Sequence, residues 1–569
     1  MATNTGFSSV ERAQTLQNMA RDGVDVLIVG GGITGAGVAL DAVARGFRVG
    51  LVEKADFGSG TSSKSTKLVH GGIRYLPQFD FALVREALVE RGLLVRNAPF
   101  LVQPIGFVLP LYKTAKRPLG TPIVPPFGIG MALLLQAGLL LYDLMSGRLG
   151  VRMHRRLSLK KALLLAPGLR TEGLNAAFIY YDAQTDDTLL TSTVLRTAAQ
   201  RGAQIANYTE VTGFQQDAGK ITHALLRDTL GGDTYTVKVG TVINAGGVFA
   251  GKIEALAGAS KIVIKPAKGV HITVARERIQ LSSDAVVLPE TEDGRLIFLV
   301  PWGPRITVGT TDTVGGEIER PIATEADIDY LIRHVNQYMT VDLKKTDVIS
   351  SWAGYRPLIS KSGDSKSSSK LSRTHIVVDS AGGMLTIVGG KLTTYRRMAQ
   401  DVVDALCKKV DKPLKHITRD LPLDGAQGWR EAQSAVEKSA AQYAFTTDTV
   451  ARLSKYGASA QTLLDLIRVD ATLAERIVPD LPYLFAEVVF ACRYAMALTL
   501  ADVLERRLHI NFEDWARGVD AAPAVAQVMA RELGWDAAHT DSQIAEYRAR
   551  FGGEAAALHA PEAAVSMIS

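Results

Sequence analysis

Gly30-Gly31-Gly32-Ile33-Thr34-Gly35 follows an apolar run, Val24–Val29, broken only by Asp25, and precedes a stretch at 36–45 that reads as a helix ended by Gly46. A glycine turn between strand and helix is chemistry for phosphate. The first helical N–H groups have no intrahelical acceptor, and the helix dipole places partial positive charge there. Gly30 permits the tight turn, Gly32 lets the backbone approach a pyrophosphate, and Gly35 lets the helix pack closely on the strand. A second β-type run at 48–52 stops at Glu53. An acid about 20 residues after the turn accepts hydrogen bonds from ribose hydroxyls and repels a 2′-phosphate. This is the dinucleotide-binding βαβ unit, and by itself it leaves NAD and FAD open.

Residues 60–76, GTSSKSTKLVHGGIRYL, decide for flavin. They place hydroxyls and exposed N–H groups directly after the acid-ending strand, where these line a pyrophosphate and the edge of an isoalloxazine. Residues 241–247, TVINAGG, and 386–395, TIVGGKLTTY, read as strands ending in small residues. In flavoproteins with one nucleotide, such late segments return to the first domain and close it around the cofactor. The expected fold class is therefore α/β: a glutathione-reductase-like FAD-binding Rossmann domain with a mixed-sheet substrate domain and a C-terminal α-helical domain.

KLVHGGIRYL, ASKIVIKPAKGVHITV, LVPWGPRITVGTTDT, AGYRPL, KLSRTHIVV and IVGGKLTTYRRMA resemble the signature blocks of the FAD-dependent, respiratory sn-glycerol-3-phosphate dehydrogenases. The blocks run in order from about Val24 to Asp401, and AEVVFACRYAMALTLADVLERRLHI resembles the family's helical region more weakly. The resemblance implies hydride removal from C2 of glycerol 3-phosphate to flavin N5, giving dihydroxyacetone phosphate. Arg74, Arg356, Arg373 and Lys391 lie in the matching blocks; arginine's planar fork suits a phosphate dianion and lysine supplies a point charge. Arg74 and Arg356 are the expected substrate contacts, with Tyr75 adding a hydroxyl and Lys391 between flavin and substrate. His271 is the expected base on the substrate side, with His70 on the flavin side. Arginine-assisted proton transfer to water stays open. One departure from the family pattern is Tyr355, where a small aliphatic residue more often precedes the arginine. Cofactor contacts are expected from Gly30, Gly32, Ile33, Thr34, Gly35, Glu53, Lys54, Thr61, Ser62, Ser63, Lys67, Leu68, His70, Gly71, Gly72, Val211, Ala245, Gly246, Gly390, Lys391, Leu392 and Thr393.

The elements that position these residues fill a chain of 569 residues, too long for one core. The flavin domain is expected at 20–110, 175–260 and 375–410, and the substrate domain at 111–174 and 261–374. A helical domain at 421–552 is read as structural or as a homodimer contact, and 553–569 as a flexible tail. The formal charge of +6 suits an anionic substrate or membrane surface, and no alternation of basic and aromatic residues points to nucleic acid. Cys407 and Cys492 stand far apart in no metal-type spacing, so no metal site or disulfide framework is expected, and a cytoplasmic setting fits. The 361–370 stretch, rich in Ser and Lys, reads as a loop beside the site.

The most apolar stretch, FGIGMALLLQAGLLLYDLM at 127–145, follows a basic, proline-rich segment. It is barely long enough to span a bilayer, which takes about 20 residues, and it ends in Asp143. A helix lying in the membrane interface is favoured, with Lys113, Lys116 and Arg117 near headgroups. That placement makes a membrane quinone the electron acceptor and puts the chain at the inner face of the cytoplasmic membrane. The alternatives are a glycerophosphate oxidase reducing O2 to H2O2, an amine oxidase, and a flavin-binding scaffold without catalysis.

Overall fold

The computed structural model describes residues 7–115, 117–121, 130–258, 260, 262–319, 321–359 and 374–559. Arg373, Lys116 and the 361–370 stretch lie outside the described residues. Among the described residues the strands form two sheets, one of eight strands and one of ten.

The first sheet is built around Val24–Val29, paired in parallel with Thr234–Asn244 on one side and Val49–Val52 on the other. A central parallel strand is covered on both faces, so it reads as a nearly continuous apolar run. Leu385–Val388 extends the sheet beyond Thr234–Asn244, which returns the late glycine segment to the first domain. Helix Ile33–Ala44 packs between helices Asp187–Ala199 and Tyr395–Lys409. The fit is tight enough that a Cβ on Gly37 would stand 2.6 Å from the Tyr395 ring.

The second sheet carries the longest antiparallel pair, Ile264–Ala275 against Val348–Ile359, with His271 opposite Trp352 and Ala267 opposite Arg356. Gln103–Tyr112 and Leu174–Gln184 pair with each other in this second sheet, which corrects the partition that placed them with the nucleotide strands. An apolar run reveals that a strand is buried and does not name its partner.

The C-terminal helices, from Trp429–Ser439 onward, share a core with the nucleotide domain. Val436, Leu464, Val488 and Leu504 belong to the same buried cluster as Ile28, Leu51 and Ile205. The last helix is Ala537–His559, so it continues into what was expected to be tail.

Helix Met131–Ser146 occupies most of the apolar stretch. Leu135, Leu139, Tyr142 and Ser146 are buried on the second sheet's side, whereas Leu133, Leu140, Leu141 and Leu144 are exposed. Those spacings put the exposed leucines along one flank of the helix. Among the described residues, no helix is long and apolar enough to cross a membrane.

Candidate active site

A cleft of about 730 Å³ is lined jointly by both sheets and by the C-terminal helices. The glycine turn forms one wall: Gly30, Gly32, Ile33 and Thr34 line it, followed by Glu53, Lys54, Thr61, Ser62, Leu68, His70, Ala245, Gly246, Gly390, Lys391, Leu392 and Thr393. Gly30 has φ +113, and a Cβ there would stand 2.6 Å from the Ala245 carbonyl oxygen. Gly32 caps helix Ile33–Ala44 without a side chain, and the Ile33 N–H donates to Ser62 Oγ at 2.9 Å. The helix end thus opens on the cleft with bare backbone, the cradle a pyrophosphate needs.

Glu53 accepts from the Gly31 N–H at 2.7 Å and the Ala55 N–H at 3.1 Å, one on each carboxylate oxygen. Burial pushes its pKa upward against those two backbone donors. A carboxylate has about four acceptor positions, so capacity remains for ribose hydroxyls.

Several expected cofactor contacts stand behind the wall instead. Gly35 lies under the turn, where a Cβ would come within 1.8 Å of the Gly30 carbonyl oxygen. Lys67 turns its buried side chain away to Asp187, with Nζ to Oδ1 at 2.6 Å. Val211 packs in the core with Val29, Val52 and Ala206. Ser63 is fully buried, and its N–H donates to the Gly58 carbonyl. Gly71 is wedged against Leu88 and Tyr142, with its N–H on Asp182 at 3.1 Å, while Gly72 supplies a left-handed turn at φ +75. These six make the wall possible and do not line the cleft.

One part of the cleft gathers cations. The Tyr75 ring is buried, with Lys391 Nζ 4.2 Å and Arg74 Cζ 5.0 Å from its centroid. Arg356 projects from Val348–Ile359, donating to Asp312 Oδ1 at 3.1 Å and Thr310 Oγ1 at 3.2 Å. Tyr355 is buried beside it, its hydroxyl filling the space over Gly316. All five residues, Arg74, Tyr75, Tyr355, Arg356 and Lys391, line the same cleft.

His271 also lines the cleft, stacked on Trp352 at 5.2 Å, with Nε2 paired to Thr66 Oγ1 at 2.8 Å. Its Nδ1 is buried without a hydrogen-bond partner. Burial first, then the Arg356 and Lys67 charges, lower its pKa from 6.5 to about 3, so the ring is neutral near pH 7. As pH falls below 6.5 the unfolded chain takes up a proton on this residue and the folded chain does not. Its contribution therefore erodes stability between pH 6.5 and about 3. His271→Gln is expected to remove that erosion, narrowing the stability loss on going from neutral pH to about pH 4.5 by about 2–3 kcal/mol. Urea unfolding of both proteins at the two pH values checks it.

His70 sits at the wall with its N–H on Thr393 Oγ1 at 3.1 Å and its ring 6.4 Å from the Phe298 centroid. Reading the sequence missed Thr66, Phe298 and the contribution of the C-terminal helices, from which Thr499, Arg506, Gln543 and Arg550 line the cleft. The charge cluster Asp502, Glu505, Arg506 and Arg507 within a helical stretch was an available signal.

Residues 25–396 match the family described as FAD dependent oxidoreductase, and residues 416–540 match the C-terminal domain of alpha-glycerophosphate oxidase. Fold and cleft together define an FAD-dependent oxidoreductase, and the glycine cradle with its acid fits that cofactor. The chain is 38% identical over 558 residues to glycerol-3-phosphate dehydrogenase 2 of Mycobacterium tuberculosis, covering 97% of this chain and 92% of that protein. It is 35% identical over 554 residues to the mitochondrial glycerol-3-phosphate dehydrogenase of Bos taurus, covering 93% and 73%. The solved glycerol-3-phosphate dehydrogenase from Bacillus halodurans complexed with FAD matches with a TM-score of 0.77 at 30% identity, over 96% of this chain and 98% of that one. The chain belongs to the FAD-dependent glycerol-3-phosphate dehydrogenase family.

Proposed function

We propose that this chain oxidises sn-glycerol 3-phosphate to dihydroxyacetone phosphate and passes the electrons to a membrane quinone. The observation that carries the reading is the placement of Arg74, Lys391 and Arg356 on the cleft that also holds the nucleotide cradle. FAD, when bound, supplies a two-electron acceptor for the C2 hydride. The cations hold the phosphate dianion, and fixing that end orients C2 without using the carbon that reacts. His271 is the proposed acceptor of the C2 hydroxyl proton: its ring lines the cleft and is neutral near pH 7, so one ring nitrogen carries a lone pair rather than a proton.

The acceptor reading rests on surface chemistry. Helix Met131–Ser146 packs against the turn Ile73–Gln78 that carries Arg74 and Tyr75, with Gly138 facing Leu76. Next to that turn Phe79 and Phe81 are exposed, their ring centroids 6.0 Å apart. Leucines and phenylalanines together make an apolar surface beside the substrate end, with Lys113 and Arg117 lying between the phenylalanines and the helix in sequence. Such a surface suits the inner face of the cytoplasmic membrane, where an amphipathic helix inserts and basic residues meet anionic headgroups. Leu140→Glu with Leu144→Glu is expected to cut binding to anionic lipid vesicles at least about tenfold, since each buried leucine contributes about 1.5–3 kcal/mol. Reduction of a water-soluble dye by the same variant is expected to stay near wild-type. A variant that still co-floats with vesicles contradicts the membrane reading. Turnover with a short-chain quinone under nitrogen distinguishes the acceptors; hydrogen peroxide formed in equal amount to product in air, with no quinone reduction, replaces quinone by oxygen.

A further inference from the structure

The C-terminal helices grip the cofactor cleft through one loop. Residues 57–63 close over the glycine turn: the Gly58 N–H donates to the Gly31 carbonyl at 3.1 Å, and Ser62 Oγ accepts from Ile33 at the helix end. The loop contains Gly58, Ser59 and Gly60, a composition with large conformational freedom unless its ends are fixed. On one side it is fixed to the second sheet, where Thr61 Oγ1 donates to the Tyr355 carbonyl at 2.6 Å.

On the other side both ends are held by three consecutive residues of one π-helical turn, Asp502–Arg507. Asp56, before the loop, is 0% exposed and accepts from Arg506 and from both terminal nitrogens of Arg507, at 2.7 and 2.8 Å. Lys64, after the loop, donates to Glu505. Glu505 is itself buried and takes further bonds from Arg506 at 2.8 Å and Arg550 at 3.0 Å. Exposed ion pairs contribute little, but the Lys64–Glu505 and Asp56–arginine pairs are largely buried, and losing one partner of a buried pair moves or unfolds what it holds. The same Lys64 lines the cleft with Thr61, Ser62 and Arg506.

We propose that the Lys64–Glu505 pair is a tether by which the C-terminal domain holds the 57–63 loop closed over the cofactor's phosphates, making both residues positioning residues for FAD. The helical domain then acts on cofactor retention, beyond the structural or dimer role expected for it.

Lys64→Met in the full-length protein cuts the tether and leaves Glu505 with Arg506 and Arg550. FAD is titrated into FAD-stripped protein by fluorescence, FAD release from holoprotein is timed, and the unfolding midpoint of the stripped protein is recorded. With the loop no longer held in place, the dissociation constant and the release rate are expected to rise about tenfold or more, which corresponds to about 1.4 kcal/mol. The stripped protein is expected to unfold somewhat below the wild-type midpoint, because the buried pair is lost there too, and Lys64→Arg is expected to recover both the midpoint and most of the affinity. Wild-type affinity and release in Lys64→Met overturn the proposal. So does a weakened FAD affinity matched by a lowered midpoint of the stripped protein that Lys64→Arg does not recover. If Lys64→Met does not accumulate as folded protein, Lys64→Gln, which keeps the stem and a donor, is read by the same measurements. None of these readouts depends on which substrate is turned over.

Discussion

Arg356→Ala is expected to lower kcat/KM for sn-glycerol 3-phosphate by about 10²–10³-fold while leaving the protein yellow, because truncating one partner of a desolvated charge pair costs about 2–5 kcal/mol. The side chain is anchored at its root by Val348–Ile359 and at its tip by Asp312 and Thr310, so its position is set before any ligand arrives. Pre-set cations bind a phosphate without the entropy loss of ordering a free side chain. Lys is expected to restore little, since an ammonium does not reproduce the two-pronged donation of a guanidinium. Removing the arginine also leaves Asp312, which is buried, facing the cleft with one cation fewer. Steady-state kinetics with the flavin content of each preparation measured in parallel check this. Retained kcat/KM would remove Arg356 from the substrate site.

The second large effect falls on the cofactor. Gly35→Ala places a methyl 1.8 Å from the Gly30 carbonyl oxygen and 3.0 Å from its carbon. Both obstacles are backbone, so no side chain can swing aside; the helix must lift from the strand or the turn must open. Overpacking of this kind costs about 1–3 kcal/mol of stability, and a backbone obstacle belongs at the upper end. The larger loss is in FAD binding, because the helix end and the turn are the phosphate cradle. The variant is expected to purify colourless, with FAD affinity reduced at least about 100-fold, which corresponds to about 2.7 kcal/mol. Absorbance of the purified protein and FAD titration measure it. A yellow variant with wild-type affinity would mean that the turn relaxes without disturbing the cradle.

The parts of the site that were legible in the sequence are those in which one residue type does one local job. Gly30, Gly32, Gly35 and Glu53 form a contiguous unit whose spacing is fixed by one strand, one turn and one helix, so reading the chain in order reads the geometry as well. Arg74, Arg356, His271 and Lys391 come from separate segments and were placed together only through resemblance to a family; the cleft brings them onto one surface. Lys67 and Val211 show where reading in order fails. Each sits in a segment that borders the cleft, but side-chain direction depends on partners far along the chain: Asp187 for Lys67, and the strand Lys220–Asp228 for Val211. The same limit hid the second sheet's claim on Gln103–Tyr112 and Leu174–Gln184. It also hid the C-terminal grip on Asp56 and Lys64, whose partners lie more than 400 residues later. Charges that become buried through long-range pairing carry no local pattern to distinguish them from solvated ones.

The central claim is that this cleft oxidises sn-glycerol 3-phosphate with its own FAD. The most direct measurement mixes the holoprotein with that substrate under strict anaerobiosis and follows the flavin's visible absorption band. Rapid bleaching with one dihydroxyacetone phosphate formed per flavin is expected, and at subsaturating substrate the band of Arg356→Ala is expected to bleach about 10²–10³-fold more slowly. Wild-type holoprotein that remains oxidised at saturating substrate would contradict it.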